Sequence, residues 1–278
     1  MLSSNRDMAK PLTVKVLDKG FVRLVDVMGD DRRITQAARV SYGGGTKTVR
    51  EDAALIDYLM RHRHTSPFEM VEFTFHVKAP IFVTRQWFRH RTASVNEISA
   101  RYSVLKDEFY EPGPAELRAQ SSTNKQVGEG SLPAEAAREA AAQIGDTYRE
   151  VYASYEKLLE LGLARELARS VLPVGIYTEF YWKQDLHNLL HFLKLRLDYH
   201  AQEEIRAYAR AVAGFVKEQV PLVWSSFEEH VLEAVTLSAS ERDAAANLLD
   251  RQEFAEKLHQ AGLKGSRVRE ALEKVFGR

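Results

Sequence analysis

Residues Val71 to Lys78 read VEFTFHVK, an alternation that puts Val71, Phe73, Phe75 and Val77 on one face and Glu72, Thr74, His76 and Lys78 on the other. This is the pattern of a half-buried strand, and a chain carrying it must build a sheet with one packed side. Ile176 to Trp182, rich in β-branched and aromatic residues, predicts a second strong strand. Thr13 to Leu17 and Phe21 to Met28 flank Asp18-Lys19-Gly20 and predict a hairpin. Helix signals stand between the strands. Asp30 or Asp31 is predicted to cap a short helix carrying Ile34, Ala37 and Ala38, and Thr48 a helix to about His62 with Leu55, Ile56 and Leu59 on its apolar side. Pro80 suits the first turn of a helix carrying Ile81, Phe82, Trp87 and Phe88. Helix is also expected from about Pro133 to Leu161, and as one long helix from about Asp185 to Glu218, ended by Pro221. Its leucines, Leu186, Leu189, Leu190, Leu193 and Leu197, read as core or subunit-interface residues. Strands and helices occur in clusters rather than in βαβ alternation, which predicts an α+β fold: an antiparallel sheet packed with long helices.

With 278 residues and 45% hydrophobic side chains, the chain can bury the core of one large domain plus an appendage. The boundary is placed between residues 1–235 and a helical extension, 236–278, whose Ser238 and Glu241 form a capping-box pattern. Two short helices separated near Gly262 to Ser266 are expected there. Glu111 to Ser131 reads as an exposed loop, and so do Gly43 to Gly45, which lack the Walker lysine and hydroxyl of a phosphate-cradling loop. Lysine plus arginine equal aspartate plus glutamate at 39 each, so any recognition of an anion must be local. No apolar run approaches the roughly 18 residues of a membrane helix, and the start, MLSSNRDMAK, is too polar for a signal peptide. A cytoplasmic protein is expected. Zero cysteines exclude disulfides, thiolate metal sites and thiol nucleophiles.

The densest chemistry lies in Arg89 to Ser103, RHRTASVNEISARYS, with Arg85 just before it. On a helix from Pro80 to Arg89, Arg85 and Arg89 share a face at i and i+4, with Gln86 beside them. In an extended Glu97 to Arg101, Glu97, Ser99 and Arg101 share one face while Ile98 and Ala100 take the other. The expected product is a polar wall opposite an arginine-bearing helix end. Guanidiniums there offer a phosphate bidentate hydrogen bonds, and Glu97 and Ser99 offer partners to a sugar or amide.

This segment resembles the RHR-x-x-S-x-N-E-x-S-x-RYS signature of flavin-dependent thymidylate synthases at every specified position. The resemblance extends over most of residues 13 to 230, through ARVSYG at Ala38, HTSPFE at His64, FTFHVKAPIFVTRQWF at Phe73 and LRLDYHAQ at Leu195, and does not cover the tail. It implies methylation of dUMP to dTMP by bound FAD, with NADPH as reductant and methylene-tetrahydrofolate as carbon donor. It also implies a homotetramer whose active sites lie between subunits. By the resemblance, dUMP is held by Gln86, Arg89, Glu97, Ser99, Arg101 and Arg169, and Arg196 lies over the uracil ring as the catalytic residue. Ser41, His64, Ser66, Arg89, His90, Arg91, Glu97, His187, His191 and His200 are the residues expected near FAD, with Asp185 beside them. The family often has an N-A-R stretch with a later Asn where this chain has Asp185-Leu186-His187 and His191, a departure in the flavin contacts of that helix. One strategy for methylating uracil adds an enzyme cysteine to C6, and this chain has none. The resemblance implies instead that reduced flavin delivers a hydride to the pyrimidine.

Two other readings stand beside it. His187 and His191 have the i, i+4 spacing of a metal pair, which would suit a metallohydrolase, but HNLLH lacks the glutamate of HExxH and no metal is expected. Arg85 to Arg101 could instead serve as a basic patch, with Trp87, Phe88 and Tyr102 stacking on single-stranded nucleic acid, although the neutral net charge opposes this.

Overall fold

The structure, a computed structural model, describes residues 12–40, 48–122 and 128–277. Ser41 and the glycines Gly43 to Gly45 lie outside the described residues. The chain divides into two compact units, 1–232 and 233–278.

In the first unit β1 (Thr13–Val16) and β2 (Gly20–Met28) form the antiparallel hairpin, with Val16 opposite Gly20. Asp30 then accepts hydrogen bonds from the backbone N–H groups of Arg32 and Arg33 at 3.0 and 3.2 Å and starts α1 (Asp31–Ala38). Thr48 and Glu51 make a reciprocal capping box at the head of α2 (Val49–Arg61). The two helices are clamped by a buried ion pair, Arg39 Nη1 to Asp52 Oδ1 at 2.6 Å.

Next comes β3 (Glu72–Pro80), the central strand, paired antiparallel with β2 on one side and with the strand Tyr177–Asp185 on the other. Its alternation is realised as expected: Val71, Phe73, Phe75 and Val77 are fully buried. Pro80 is the last residue of the strand and the N-cap of α3 (Ile81–Trp87), one position earlier than its expected place inside the first turn. Two N–H groups that α3 leaves open, on Ile81 and Phe82, donate to the carbonyls of Ile176 and Val174 at 3.0 and 2.9 Å. This fixes the helix to the segment that leads into β7.

The edge strand β4 (Ser94–Glu97) follows, and the described residues of the polar stretch after it are loop interrupted by a 3-10 turn, Pro114–Glu116, and a two-residue ladder, β5 (Ala119–Gln120) with β6 (Gly128–Glu129). Helix α4 (Ala134–Glu160) leads through α5 (Arg165–Ala168) to β7 (Tyr177–Asp185), which runs three residues further than predicted. The five-stranded sheet has the order β1-β2-β3-β7-β4 and is antiparallel throughout.

The single long helix predicted over Asp185 to Glu218 is two helices, α6 (Leu186–Arg196) and α7 (Glu203–Gln219). Asp198 explains the break, because its Oδ1 accepts from both the backbone N–H and the Nδ1 of His200, each at 2.8 Å. Such an Asx turn offers the backbone a local alternative to the helical ladder. Leu186, Leu189, Leu190 and Leu193 are buried in the core and Leu197 packs against it. Pro221 ends α7 and also opens α8 (Pro221–Phe227) from the N1 position.

The second unit holds α9 (Ala239–Leu248), α10 (Arg251–Gln260) and α11 (Ser266–Phe276), three helices where two were expected. The unforeseen boundary is Asp250, whose Oδ1 caps Gln252 and Glu253 at 2.9 Å. The rings of Phe254 and Phe276 meet at 6.0 Å.

Gly20 is the tightest point of the hairpin. A Cβ there would lie 2.0 Å from the Tyr208 hydroxyl and 2.7 and 2.8 Å from the carbonyl oxygens of Val16 and Lys78. Tyr208 is fully buried and its hydroxyl donates to that Lys78 carbonyl at 2.7 Å, so it has no room to retreat. Gly20→Ala is expected to destabilise the first unit by about 1–3 kcal/mol, the scale of overpacking. Thermal unfolding should show a midpoint lowered by about 2–4 °C per kcal/mol; an unchanged midpoint would show that the hairpin yields freely.

Candidate active site

Trp87, the last residue of α3, is fully buried against Phe180, Trp182 and Phe192 with ring centroids 5.4, 5.2 and 4.9 Å away. That wedge fixes where the helix stops and where its polar neighbours Gln86 and His90 emerge. Helix α6 buries Leu186, Leu189, Leu190, Phe192 and Leu193, and half-buried Arg196 ends it. The Arg196 Nε–H donates to His90 Nε2 at 3.0 Å, and Nη2–H donates to the Gln86 carbonyl at 3.0 Å. Gln86 Nε2 in turn donates to Gln202 Oε1 at 2.5 Å, and the His191 ring stands 5.9 Å from that of His90. The guanidinium of Arg196 is thereby held at two of its edges.

For His90 Nε2 to accept from a guanidinium, the ring must be neutral with its proton on Nδ1. The electrostatics agree: burial first, then Arg196 and His191, hold the His90 pKa at about 4, below its ordinary 6.5. Burial also lowers the pKa of Arg196.

A second group forms around Glu166. Arg101 Nε lies 3.7 Å from Glu166 Oε2, and Arg169 Nε donates to the Glu166 carbonyl at 3.3 Å. Arg165 Nη1 donates to the Tyr102 carbonyl at 3.4 Å. Arg101, Tyr102, Leu163, Arg165 and Glu166 line a cleft of about 540 Å³.

The shared face expected of Glu97, Ser99 and Arg101 is not formed as an extended strand. β4 ends at Glu97, and a turn follows in which the Tyr102 N–H donates to the Ser99 carbonyl at 3.1 Å. The turn buries Ala100 and exposes Ile98 and Arg101. Glu97 is held separately, its Oε1 accepting from Thr178 Oγ1 at 2.8 Å. Arg89 lies two residues beyond the last turn of α3 rather than on a helical face shared with Arg85. Arg85, Arg89 and Arg91 are exposed, and their side chains make no hydrogen bond or ion pair with another described residue.

The remaining candidates stand apart from the Arg196 group. His64 is exposed beside Tyr58, ring centroids 5.7 Å apart, and Ser66 is exposed in the turn after it. Asp185 caps α6, accepting from Asn188 N–H at 3.0 Å and Nδ2 at 2.7 Å. The half-buried His187 side chain has no hydrogen bond to another described residue, and His200 is engaged with Asp198. Among the described residues His187 and His191 belong to no group of three potential metal ligands; Asp57, Glu229 and His230 do, but Asp57 is already paired with Arg61 at 3.0 Å and His230 at 2.7 Å. Of the three stacking platforms proposed for nucleic acid, Trp87 is inside the core and Phe88 packs 5.0 Å from Phe180, leaving only Tyr102 exposed. Gln202, Thr178, Arg165 and Glu166 escaped the sequence reading. Gln202 closes the LRLDYHAQ segment and was within its reach; Glu166 and Arg169, three residues apart, carried no motif.

The family model described as thymidylate synthase complementing protein matches residues 23–222 of the chain. The flavin-dependent thymidylate synthase of Thermus thermophilus is 67% identical over 270 residues, 97% of this chain and 98% of that protein. That of Treponema denticola is 55% identical over 263 residues, 94% and 96% of the two chains. A crystal structure of the UMP/dUMP methylase PolB from Streptomyces cacaoi, bound with 5-Br dUMP, superposes with a TM-score of 0.72 at 33% identity, covering 79% of this chain and 99% of that one.

His90 supplies a pH test. Because its folded pKa lies below the unfolded value, the neutral ring's contribution to stability is complete above 6.5 and is lost as pH falls through 6.5 toward about 4. In an imidazole NMR titration of the nine histidines, the signal missing from His90→Asn should titrate near pH 4. A His90 midpoint near 6.5 would rule out the Arg196-to-imidazole bond as drawn.

Proposed function

The chain belongs to the flavin-dependent thymidylate synthases, the thymidylate synthase complementing protein family, and on that premise we propose that it methylates dUMP to dTMP with bound FAD, NADPH as reductant and methylene-tetrahydrofolate as carbon donor. The observation that carries this reading is the half-buried Arg196 guanidinium, oriented by a neutral His90 and the Gln86 carbonyl at the mouth of the signature segment. A fixed cation in a partly dehydrated place suits negative charge developing on a uracil carbonyl, as an oxyanion-hole donor does. His90 cannot compete for that charge as a cation, since it is neutral at working pH. Its part is to hold Nε of Arg196 and aim the remaining N–H groups.

The donor set fits a flavin dinucleotide. Arg89 and Arg91 are exposed with no partner among the described residues, as ligands for a diphosphate would be, and the imidazoles of His90, His187 and His191 provide polar edges for a ring system. Ser41, His64, Ser66, Glu97, Asp185 and His200 complete the proposed FAD set. Bound flavin supplies hydride transfer, for which no side chain of this cysteine-free protein is equipped. For dUMP, Gln86, Arg89, Glu97, Ser99, Arg101 and Arg169 are proposed to hold the phosphate and sugar, and the pairing of Arg101 and Arg169 around Glu166 supports a phosphate there.

Within one chain the Arg196 group, the Arg101 cleft and the His64–Ser66 turn share no hydrogen bond, ion pair or ring contact among the described residues. This supports a homotetramer in which different subunits complete each site. No helix among the described residues is long and apolar enough to cross a membrane, and we place the enzyme in the cytoplasm.

The purified protein is expected to show a flavin absorption spectrum that NADPH bleaches faster when dUMP is present. Protein that is colourless and takes up no FAD on reconstitution overturns the proposal. For the shared site, inactive Arg101→Ala and Arg196→Ala chains are unfolded and refolded together. Activity should return, because some mixed assemblies contain a site with neither defect; the same is done for the other pairs among Arg89, Arg101, Arg169 and Arg196, and if mass measurements confirm mixing and every pair stays inactive, each subunit builds its own pocket.

A further inference from the structure

Of the four arginines proposed for dUMP, Arg89, Arg101, Arg169 and Arg196, only Arg101 faces a carboxylate among the described residues. Its partner Glu166 carries no role in the reading above. At 3.7 Å the contact is an ion pair without a hydrogen bond, and the two side chains are 57 and 64% exposed. A pair this loose is weak, because water and salt screen it and both side chains keep most of their freedom. Arg165 lines the cleft beside Arg101 and Glu166, and Arg169 donates to the Glu166 backbone carbonyl from behind. The lining carries two guanidiniums, Arg101 and Arg165, and one carboxylate, so once the carboxylate is displaced two positive charges face the ligand, the match for a phosphomonoester, which carries about −1.5 to −2 near pH 7.

We propose that Glu166 is a resident counter-ion, holding the Arg101 guanidinium until a phosphomonoester dianion takes its place. A dianion with three acceptor oxygens engages several guanidiniums at once and displaces a single loosely held carboxylate. A singly charged small anion gains too little to do so. The carboxylate thus screens the cleft against chloride and other monoanions. It also lowers the affinity for substrate and product alike, which favours release of the methylated nucleotide. Glu166 acts through Arg101 and is a positioning residue. This inference rests on the proposed dUMP site and adds a residue to it.

The test is a dUMP titration of the FAD-loaded enzyme, read on the flavin spectrum, for wild type, Glu166→Gln and Glu166→Asp. An exposed glutamate replaced by its own amide keeps its size, so folding should be unaffected. Glu166→Gln is expected to bind dUMP and dTMP about two- to fivefold more tightly at low salt, the range open to an exposed ion pair. Added chloride should weaken dUMP binding more steeply in Glu166→Gln than in wild type. Glu166→Asp, which keeps the charge, should stay near wild type. Unchanged or weaker binding in Glu166→Gln, or tightening in both variants, overturns the counter-ion role while the dUMP site stands. A wild-type enzyme whose spectrum does not respond to dUMP overturns the underlying site as well.

Discussion

The burial of one face of the central strand is the constraint on which the rest depends. Phe75 packs against Trp182 at 5.8 Å and Phe215 at 6.1 Å, and Phe73 stacks beside it at 6.0 Å. Each such side chain contributes about 1.5–3 kcal/mol when fully withdrawn from water. A one-residue slip of β3 against β2 or β7 would turn Phe73, Phe75 and Val77 to the other face. Register is therefore held on both sides, with Val77 opposite Val22 and Phe180. The consequence reaches the active-site region directly. β7 brings Trp182 and Phe180 under Trp87, so the end of α3 is fixed by the same aromatic cluster that fixes the sheet.

The cluster has a polar cost. The indole N–H groups of Trp87 and Trp182 are buried without hydrogen-bond partners among the described residues, a penalty of about 1–3 kcal/mol each. Burial of two of the largest side chains, with edge-to-face ring contacts of roughly 0.5–1.5 kcal/mol, offsets it. Gln86 and His90 sit on either side of Trp87 in sequence, so a rigid Trp87 means a rigid acceptor pair for Arg196.

What could be read from the chain follows from the range of the forces involved. The β3 alternation, the caps at Asp30, Thr48 and Ser238, and the hairpin around Gly20 are local patterns, and each produced the predicted element. The misses arise where a side chain competes with the backbone. Asp198 breaks an apolar periodicity that runs on through Leu197, and Asp250 starts a helix inside what looked like one segment. The end of β4 at Glu97 has a different origin, because beyond it β7 offers only one more bond, Ile98 N–H to the Glu179 carbonyl at 2.9 Å. Arg196 was singled out by its motif, whereas its bonds to His90 and Gln86 cross more than a hundred residues and leave no local trace. The same holds for Glu166 opposite Arg101: Arg101 stands in the signature segment, but nothing local in the sequence ties Glu166 to it.

The arginines differ in how they are held, and that difference is itself informative. Arg196 is half-buried, bound at Nε and at Nη2, and its environment excludes a protonated imidazole. Arg101 is mostly exposed and faces one loose carboxylate. A cation meant to stabilise charge that appears only during reaction gains from being fixed beforehand, since reorientation at that moment would add to the barrier. One meant to capture a charge already present in the ligand gains from freedom, because it must release water, engage and later let go. The proposed division, with Arg196 at the ring and Arg101 at the phosphate, follows the order of their rigidity. It also matches their positions: the half-buried one is anchored to the core through α6, while the exposed one stands on a turn at the sheet edge.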